Sequence, residues 1–224
     1  GLGVGFEAGT EGKCDLDRSL EDKQSRLASR LNLQVEATPA GWLSFMFETE
    51  AELARIAAGA DSNSSSEATA EIKQAYMSFR PAGEAFDLRF GRQKIADEME
   101  WLLKEDLDGV RALVVQGPYS LDVSVSRRSL VNLAAPAEEE EPVTNFLAMG
   151  RYKVTDESFV APYVFFRDGD AGEDELLYLG VQSIGRVSSN LTYWFNSAYL
   201  TGERRSRDIA AFGGDAGLTY VFDT

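Results

Sequence analysis

Residues 25–37, SRLASRLNLQVEA, set the pattern from which the fold follows. Side chains two positions apart share one face of an extended strand, so this stretch has an apolar and a polar face. The apolar face holds Leu27, Leu31, Leu33 and Val35. The polar face holds Arg26, Arg30, Asn32, Gln34 and Glu36. A period of two predicts a β-strand with a different environment on each side.

The same alternation recurs along the chain and predicts an all-β protein. It returns in WLSFMFE (residues 42–48), LDVSVSR (residues 121–127) and GLTYVF (residues 217–222). Together with the turn-forming residues between such stretches, it predicts twelve strands. These are residues 1–9, 25–37, 42–50, 71–80, 85–93, 108–116, 119–128, 143–154, 158–167, 175–186, 190–202 and 207–222.

The connections between the predicted strands alternate in length. Those after even-numbered strands are short and rich in turn residues: TPAG, PAGEA, GPY, TDE and SSN. Those after odd-numbered strands are mostly longer and include residues 51–70, 94–107 and 129–142, followed by the shorter DGDAGED and ERRSR. Alternating faces fit a soluble sandwich as well as a membrane barrel, but a sandwich gives no reason for this parity. Short periplasmic turns and longer outer loops are typical of an up-and-down transmembrane β-barrel in an outer membrane.

The composition narrows the function. The chain has 224 residues, 44% hydrophobic residues, a formal net charge of −15, one cysteine and no histidine. The absence of histidine removes the usual serine, cysteine and metal chemistry of active sites, so we expect no enzyme, no catalytic or metal-ligating residues and no cofactor. Strong acidity argues against nucleic acid as a partner. Cys14 cannot form an internal disulfide; we expect an incidental thiol, with intermolecular pairing or lipid attachment as the alternatives.

Two further features fit an outer-membrane barrel. The acidic residues are concentrated in the longer connections, as in residues 138–141. We expect them to form a solvated surface, to bind divalent ions that bridge to lipopolysaccharide, or to repel anions at the mouth of the barrel. Aromatic residues near strand ends are candidates for the belts at the membrane surfaces. These candidates are Trp42, Tyr119, Tyr163, Tyr193, Tyr220 and Phe222.

On a barrel, the polar face of each strand borders the lumen. The arginines on this face either pair with neighbouring acids or present donors to an anionic solute, since rings of basic residues favour anions. Arg30 and Arg89 lie near the middle of their strands and are the expected constriction residues. Predicted pore-lining residues from the alternation are Arg26, Arg30, Asn32, Tyr76, Asp87, Arg89, Arg111, Asp122, Arg128 and Arg151.

Residues 71–114 resemble the alginate-export porin family. The resemblance lies in EIKQAYMSFR (residues 71–80), in LRFGRQKI (residues 88–95) and in EMEWLLKEDLDGVRALV (residues 98–114). It implies an outer-membrane β-barrel in which Arg89, Arg92, Gln93 and Arg111 contribute to the pore, and in which residues 96–107 form an extracellular or inward-folded loop. Barrels of that family have about eighteen strands, so the twelve predicted in residues 1–224 form either one smaller barrel domain or part of a larger barrel.

The sequence therefore predicts an outer-membrane channel of a Gram-negative bacterium that passes polar, anionic solutes or polysaccharide, with both chain ends on the periplasmic side. Its expected partners are the lipid bilayer, lipopolysaccharide and the solute. The alternative is a non-conducting barrel that anchors a membrane-complex partner, because large side chains or an infolded loop can occlude a twelve-stranded lumen.

Overall fold

In the computed structural model, one antiparallel sheet of twelve strands runs in sequence order from β1 to β12. The structure describes residues 2–13, 24–58, 63–81, 83–97, 99–127, 143–169 and 174–222. The strands are β1 (Leu2–Lys13), β2 (Gln24–Ala40), β3 (Leu43–Ala58), β4 (Asn63–Phe79), β5 (Phe86–Ala96), β6 (Lys104–Gln116), β7 (Tyr119–Arg127), β8 (Val143–Thr155), β9 (Ser158–Gly169), β10 (Asp174–Ser188), β11 (Leu191–Arg204) and β12 (Arg207–Tyr220). The predicted architecture, the antiparallel up-and-down strands of an outer-membrane β-barrel, is confirmed. Within the described residues, β1 and β12 do not pair, so the sheet is open at its two edges.

The register explains the alternation seen in the sequence. Cross-strand partners share one face of a sheet, and a band of such partners follows the outer face from β3 to β9. Its members are Phe45, Met77, Phe90, Val110, Val125, Phe146 and Phe166, each partner of the next. All seven are exposed. A continuous exposed apolar band with a polar opposite face is the arrangement of a sheet whose outer side meets lipid.

The connections define two ends of the sheet. The turn end holds the connections that follow β2, β4, β6, β8 and β10, and these are short, as predicted. The loop end holds the others. There the expected parity of lengths is wrong for residues 51–70, because β3 continues to Ala58 and β4 begins at Asn63. It is also wrong after β11, where Arg205 and Ser206 alone make the turn, with φ values of 48° and 61°.

Some of the predicted aromatic belt is present at the turn end. Trp42, Tyr119, Tyr220 and Phe222 are exposed. Tyr163 is an exception, because it lies on the inner face of β9 and only 3% of it is exposed. The part of the chain that the structure describes contains no helix long and apolar enough to cross a membrane.

Candidate functional site

A cluster of arginines and aspartates lies on the inner face of β4 to β7. The Asp87 carboxylate is almost fully buried and accepts hydrogen bonds from Arg89 Nε at 2.9 Å and Nη2 at 2.8 Å. Ser78 Oγ donates to Oδ1 of Asp87, and Arg80 Nε lies 3.3 Å from Oδ2, the oxygen that Arg89 contacts. The Arg89 guanidinium also lies over the Tyr76 ring, 5.4 Å from its centre. Asp87 therefore fixes two guanidinium groups near one point on the wall.

Arg111 is the direct cross-strand partner of Arg89 and completes this arginine–aspartate cluster. Its Nε donates to both oxygens of Asp122, at 2.9 and 3.1 Å, and its Nη2 donates to one of them. Two like charges face each other across the ladder, and each is balanced by its own carboxylate. Three guanidinium groups, counting Arg80, meet two carboxylates, so one positive charge is in excess.

The inner face of β2 to β4 has a different character. Glu48 accepts a hydrogen bond from Asn32 Nδ2 at 2.9 Å and another from Gln74 Nε2 at 2.5 Å. Arg30 Nε donates to Glu52 at 2.6 Å, with 47% of the Arg30 side chain exposed. Glu48 is thus held by two amides and Glu52 by one exposed arginine. We call this part of the inner face the acidic wall.

The β5–β6 hairpin bends inward at two opposed glycines, Gly91 and Gly109. A Cβ atom at either position would lie 2.3 Å from a backbone oxygen of the neighbouring strand, and Gly91 has φ 119°. Arg111 Nη1 donates a hydrogen bond of 3.2 Å to the carbonyl oxygen of Lys94, which lies on the far side of the bend. Lys94 lies five residues beyond the ladder partner of Arg111, roughly 16 Å along a straight strand. The contact therefore requires the hairpin to fold back over the lumen.

The tip of this infolded hairpin contacts the opposite wall. Ile95, Leu103 and Leu107 form a buried cluster with Leu147 of β8 and Phe165 of β9. Leu102 packs against a second cluster on β8, β9 and β11, formed by Met149, Ala161, Tyr163 and Ala198. The Trp101 ring approaches Gly213 of β12, with a ring carbon 3.7 Å from where a Cβ atom would stand. The hairpin therefore crosses the lumen, and the inward-folded alternative for residues 96–107 is the observed one.

Asp97 organises the connection at the tip. Its carboxylate accepts hydrogen bonds from the backbone N–H groups of Met99 (3.3 Å), Trp101 (3.1 Å), Leu102 (2.8 Å) and Leu103 (2.9 Å). A buried carboxylate with this many donors is well stabilised. Next to it, the hydrogen bond from Lys104 lowers the pKa of the exposed Glu100 carboxyl. The connection is thus a preorganised element.

The opposite face of the hairpin looks towards the acidic wall. Arg92 lies 3.7 Å from Glu71 of β4 and 3.7 Å from Asp108. Asp106 is close enough to Lys73, Glu71, Arg92 and Glu48 to interact with them electrostatically. The ionic groups between the hairpin and this wall mark what is here called the passage; they carry both signs of charge, with the carboxylates in the majority.

The structure places the predicted pore residues in different parts of the lumen. Tyr76, Asp87, Arg89, Arg111 and Asp122 come together in the arginine–aspartate cluster, whereas Arg30 and Asn32 belong to the acidic wall. Arg92 and Gln93 lie on the hairpin. Arg151 lies near the turn end, its guanidinium 4.5 Å from the centre of the Phe159 ring. Arg26 is in β2, Arg128 lies outside the described residues, and so does Cys14.

Sequence reasoning missed the residues that the bend brings together: Glu48, Lys73, Asp97 and Asp106. The available signal was the pair of glycines, Gly91 and Gly109, within otherwise regular strands, because a strand glycine marks a close backbone approach. Among the described residues, no three or more acidic or cysteine side chains gather in a way that could hold a metal ion.

Comparison with known proteins identifies one matching family and several porins of similar fold. A family model described as alginate export matches residues 6–223. No curated protein is significantly similar in sequence. Among solved structures, Salmonella typhi OmpF in complex with daunomycin is 12% identical, with a TM-score of 0.45 over 99% of this chain and 86% of that one. Vibrio cholerae OmpT in its trimer form is 11% identical, with a TM-score of 0.45 over 100% and 85%. Pseudomonas putida OprB at low pH is 15% identical, with a TM-score of 0.33 over 97% and 91%.

Proposed function

Because this chain belongs to the alginate export family, we propose that it is an outer-membrane channel through which polar solutes, anionic ones in particular, diffuse passively. The observation that carries the proposal is the lumen itself. Its wall holds ionic groups on the inner face and an exposed apolar band on the outer face, which is the polarity that a membrane pore requires. No chemical step on the solute is part of this function.

The arginine–aspartate cluster supports the anionic preference. Arg80, Arg89 and Arg111 outnumber Asp87 and Asp122, so an anion passing this level of the wall meets one uncompensated positive charge. Fixed guanidinium groups also present bidentate donors that suit carboxylates. The solute would meet this cluster on the turn-end side of the infolded hairpin.

The placement in the membrane follows the two ends of the sheet. We propose that the turn end faces the periplasm, together with both chain ends, and that the loop end faces outward, where its acidic residues meet lipopolysaccharide. The apolar band, which includes Phe90, Val125 and Phe146, would contact the lipid chains.

Conductance across a planar bilayer tests the channel, and the reversal potential in a salt gradient tests its preference for anions. We expect discrete conductance steps and a reversal potential on the anion side of zero. Replacement of Arg111 by Gln should move the reversal potential towards cation selectivity. Arg186→Gln is the matched control, because Arg186 pairs with Glu157 at the exposed turn end.

A second candidate, a non-conducting barrel that anchors a partner, draws on the infolded hairpin. Leu102, Leu103 and Leu107 place apolar side chains inside the lumen against the far wall, which fills part of its cross-section. Absence of conductance steps from correctly folded protein, together with isolation in a stoichiometric membrane complex, would favour this candidate over the channel.

A further inference from the structure

The loop-end rim of β9 to β12 separates its charges by face. Two residues beyond Phe166 of the apolar band, a row of acidic residues begins on the outer face, each the direct cross-strand partner of the next. The row consists of Asp168, Glu175, Glu203 and Asp208, and we call it the carboxylate row. The inner face of the same rim carries the basic residues Arg167, Arg204 and Arg207.

The carboxylate row is unfavourable within the chain itself. Like charges that lie directly opposite each other in a ladder destabilise a sheet. In the part of the chain that the structure describes, none of the four carboxylates forms an ion pair. Arg204, by contrast, lies 3.6 Å from Asp174 on the inner face. The negative charge of the row is therefore open to a group that approaches from the lipid side.

A groove of about 570 Å³ adjoins the row on the outer face. Its apolar part includes one residue from each of the four strands, and these are again cross-strand partners: Phe166, Leu177, Thr201 and Ala210. Three members of the carboxylate row line the groove as well. The groove therefore joins the edge of the lipid-facing apolar surface to a line of negative charge.

The charge of the row decides between the candidate occupants of the groove. A second copy of this chain would bring its own carboxylates, and the phosphates of lipopolysaccharide would be repelled in the same way. Divalent cations would relieve that repulsion, but among the described residues no three acidic side chains gather closely enough to hold one. The groove suits an occupant that is cationic on one side and apolar on the other.

The spacing of the row matches an amphipathic helix. Neighbouring strands lie about 4.8 Å apart, so the four carboxylates follow one another at about this interval. One turn of an α-helix advances by about 5.4 Å, which brings one basic side chain of each turn next to one carboxylate. A cationic amphipathic helix rests at the membrane surface with its apolar side towards the lipid chains. This is the level at which the groove meets the row.

We propose that the groove and the carboxylate row form a docking site for a cationic amphipathic helical peptide at the membrane surface. Its lysine or arginine side chains meet the carboxylates, and its apolar side chains enter the groove. The site lies on the lipid side of the sheet, so it goes beyond the channel function and does not depend on conduction.

The test measures the binding of a fluorescent Leu/Lys amphipathic peptide to the protein in phosphatidylcholine nanodiscs. Fluorescence anisotropy reports the bound fraction, and empty nanodiscs give the blank. A peptide of the same composition, scrambled so that its helix has no apolar side, measures simple attraction between opposite charges. The protein has a formal net charge of −15, so this comparison is necessary.

Two pairs of variants separate the row from the groove. The row variant carries Glu175→Gln, Glu203→Gln and Asp208→Asn. Its matched control removes the same charge at the exposed turn end, through Glu84→Gln, Asp156→Asn and Glu157→Gln. Thr201→Trp fills the groove without a change of charge. Ser197→Trp, nearer the turn end on the same face of β11, is its control.

We expect the row variant to bind the amphipathic peptide about tenfold more weakly than the unaltered protein, because three exposed ion pairs are lost together. The turn-end control should bind as the unaltered protein does. Thr201→Trp should weaken binding and Ser197→Trp should not. Added salt should weaken binding to the unaltered protein more than to the row variant.

Equal losses in the row variant and its control, or equally tight binding of the scrambled peptide, would show attraction to an acidic protein and overturn the docking site. Unchanged binding by Thr201→Trp would also overturn it, because the groove would then have no part. Displacement of the peptide by stoichiometric lipopolysaccharide with magnesium ions would assign the groove to a lipid instead. Normal conductance in a protein that binds no peptide would leave the channel standing and refute this site.

Discussion

Arg89 and Asp87, two residues apart on one face of β5, are joined by two hydrogen bonds of 2.9 and 2.8 Å. Because Asp87 also lies 3.3 Å from Arg80, this one carboxylate compensates two guanidinium groups on the lumen wall. It therefore governs how much positive charge the wall presents to a solute.

Replacing Asp87 with Asn should make the lumen more selective for anions. The amide keeps the size of the carboxylate and can still accept from Ser78, but it removes one negative charge beside Arg80 and Arg89. The reversal potential in a potassium chloride gradient should move to the anion side. Asp208→Asn, at the exposed loop end of β12, is the control. An equal shift in both variants would mean that Asp87 does not set the ion selectivity of the pore.

Replacing Asp106 with Asn tests whether the passage is the narrowest part of the lumen. Asp106, on the hairpin, is close enough to Glu48 and Glu71 to interact with them electrostatically. If ions pass there, loss of this carboxylate should lower cation permeability more than Asp87→Asn does, because field strength rises where walls are closest. A smaller shift than that of Asp87→Asn would place the constriction at the arginine–aspartate cluster instead.

Gly109→Ala should destabilise the protein by about 1–3 kcal/mol, the usual cost of overpacking. The new methyl group would meet the Val125 carbonyl oxygen at 2.3 Å. Gly150→Ala is a matched change in β8, where a Cβ atom meets nothing within 4 Å. Urea unfolding in lipid vesicles, followed by tryptophan fluorescence, measures both. Equal stability of the two variants would contradict the tight bend.

Asp97→Ala should loosen the tip of the hairpin without unfolding the sheet. It removes the acceptor of the four backbone N–H groups from Met99 to Leu103. Hydrogen exchange in a peptide covering residues 99–103 should accelerate by at least about tenfold, since hydrogen bonds to a charged group are among the strongest. A peptide covering the turn at residues 155–158 is the internal control and should exchange as before.

Val125→Arg should impair folding into membranes, with a cost of about 2–4 kcal/mol for arginine at the bilayer midplane. Val125 belongs to the exposed apolar band. Val154→Arg, at an exposed position next to the turn end of β8, should cost about 1 kcal/mol or less because the headgroup region hydrates the charge. Folding into vesicles of short-chain lipid, followed by gel mobility, distinguishes them. Equal yields would argue against a lipid-facing band.

The strands were predictable where the two faces differ in polarity. Residues 25–37 have such faces, and β2 covers them. Residues 51–70 are rich in alanine and serine, so their alternation is weak, and they read as a loop. Their pairing in register with each other, from Ala51–Ala70 to Ala58–Asn63, makes them strands all the same.

The inward hairpin could not be predicted from alternation, although its effect is visible on β9. Phe159, Tyr163 and Phe165 face inward there, and Val160 and Val164 face outward, so both faces of this strand are apolar. A lumen wall would ordinarily be polar. The inner face of β9 is apolar because the hairpin tip packs on it, a contact between segments distant in sequence. Such contacts leave no local period in the sequence, and Tyr163 was misplaced for this reason.

The approach of Trp101 to Gly213 has a consequence for the order of assembly. Every strand pairs with its neighbour in sequence, so the sheet can form one hairpin at a time from either edge. The crossing hairpin joins the middle of the chain to its last strand. The tip of the β5–β6 hairpin can settle against β12 only after that strand is in place, which makes the environment of Trp101 a reporter of the final step of folding.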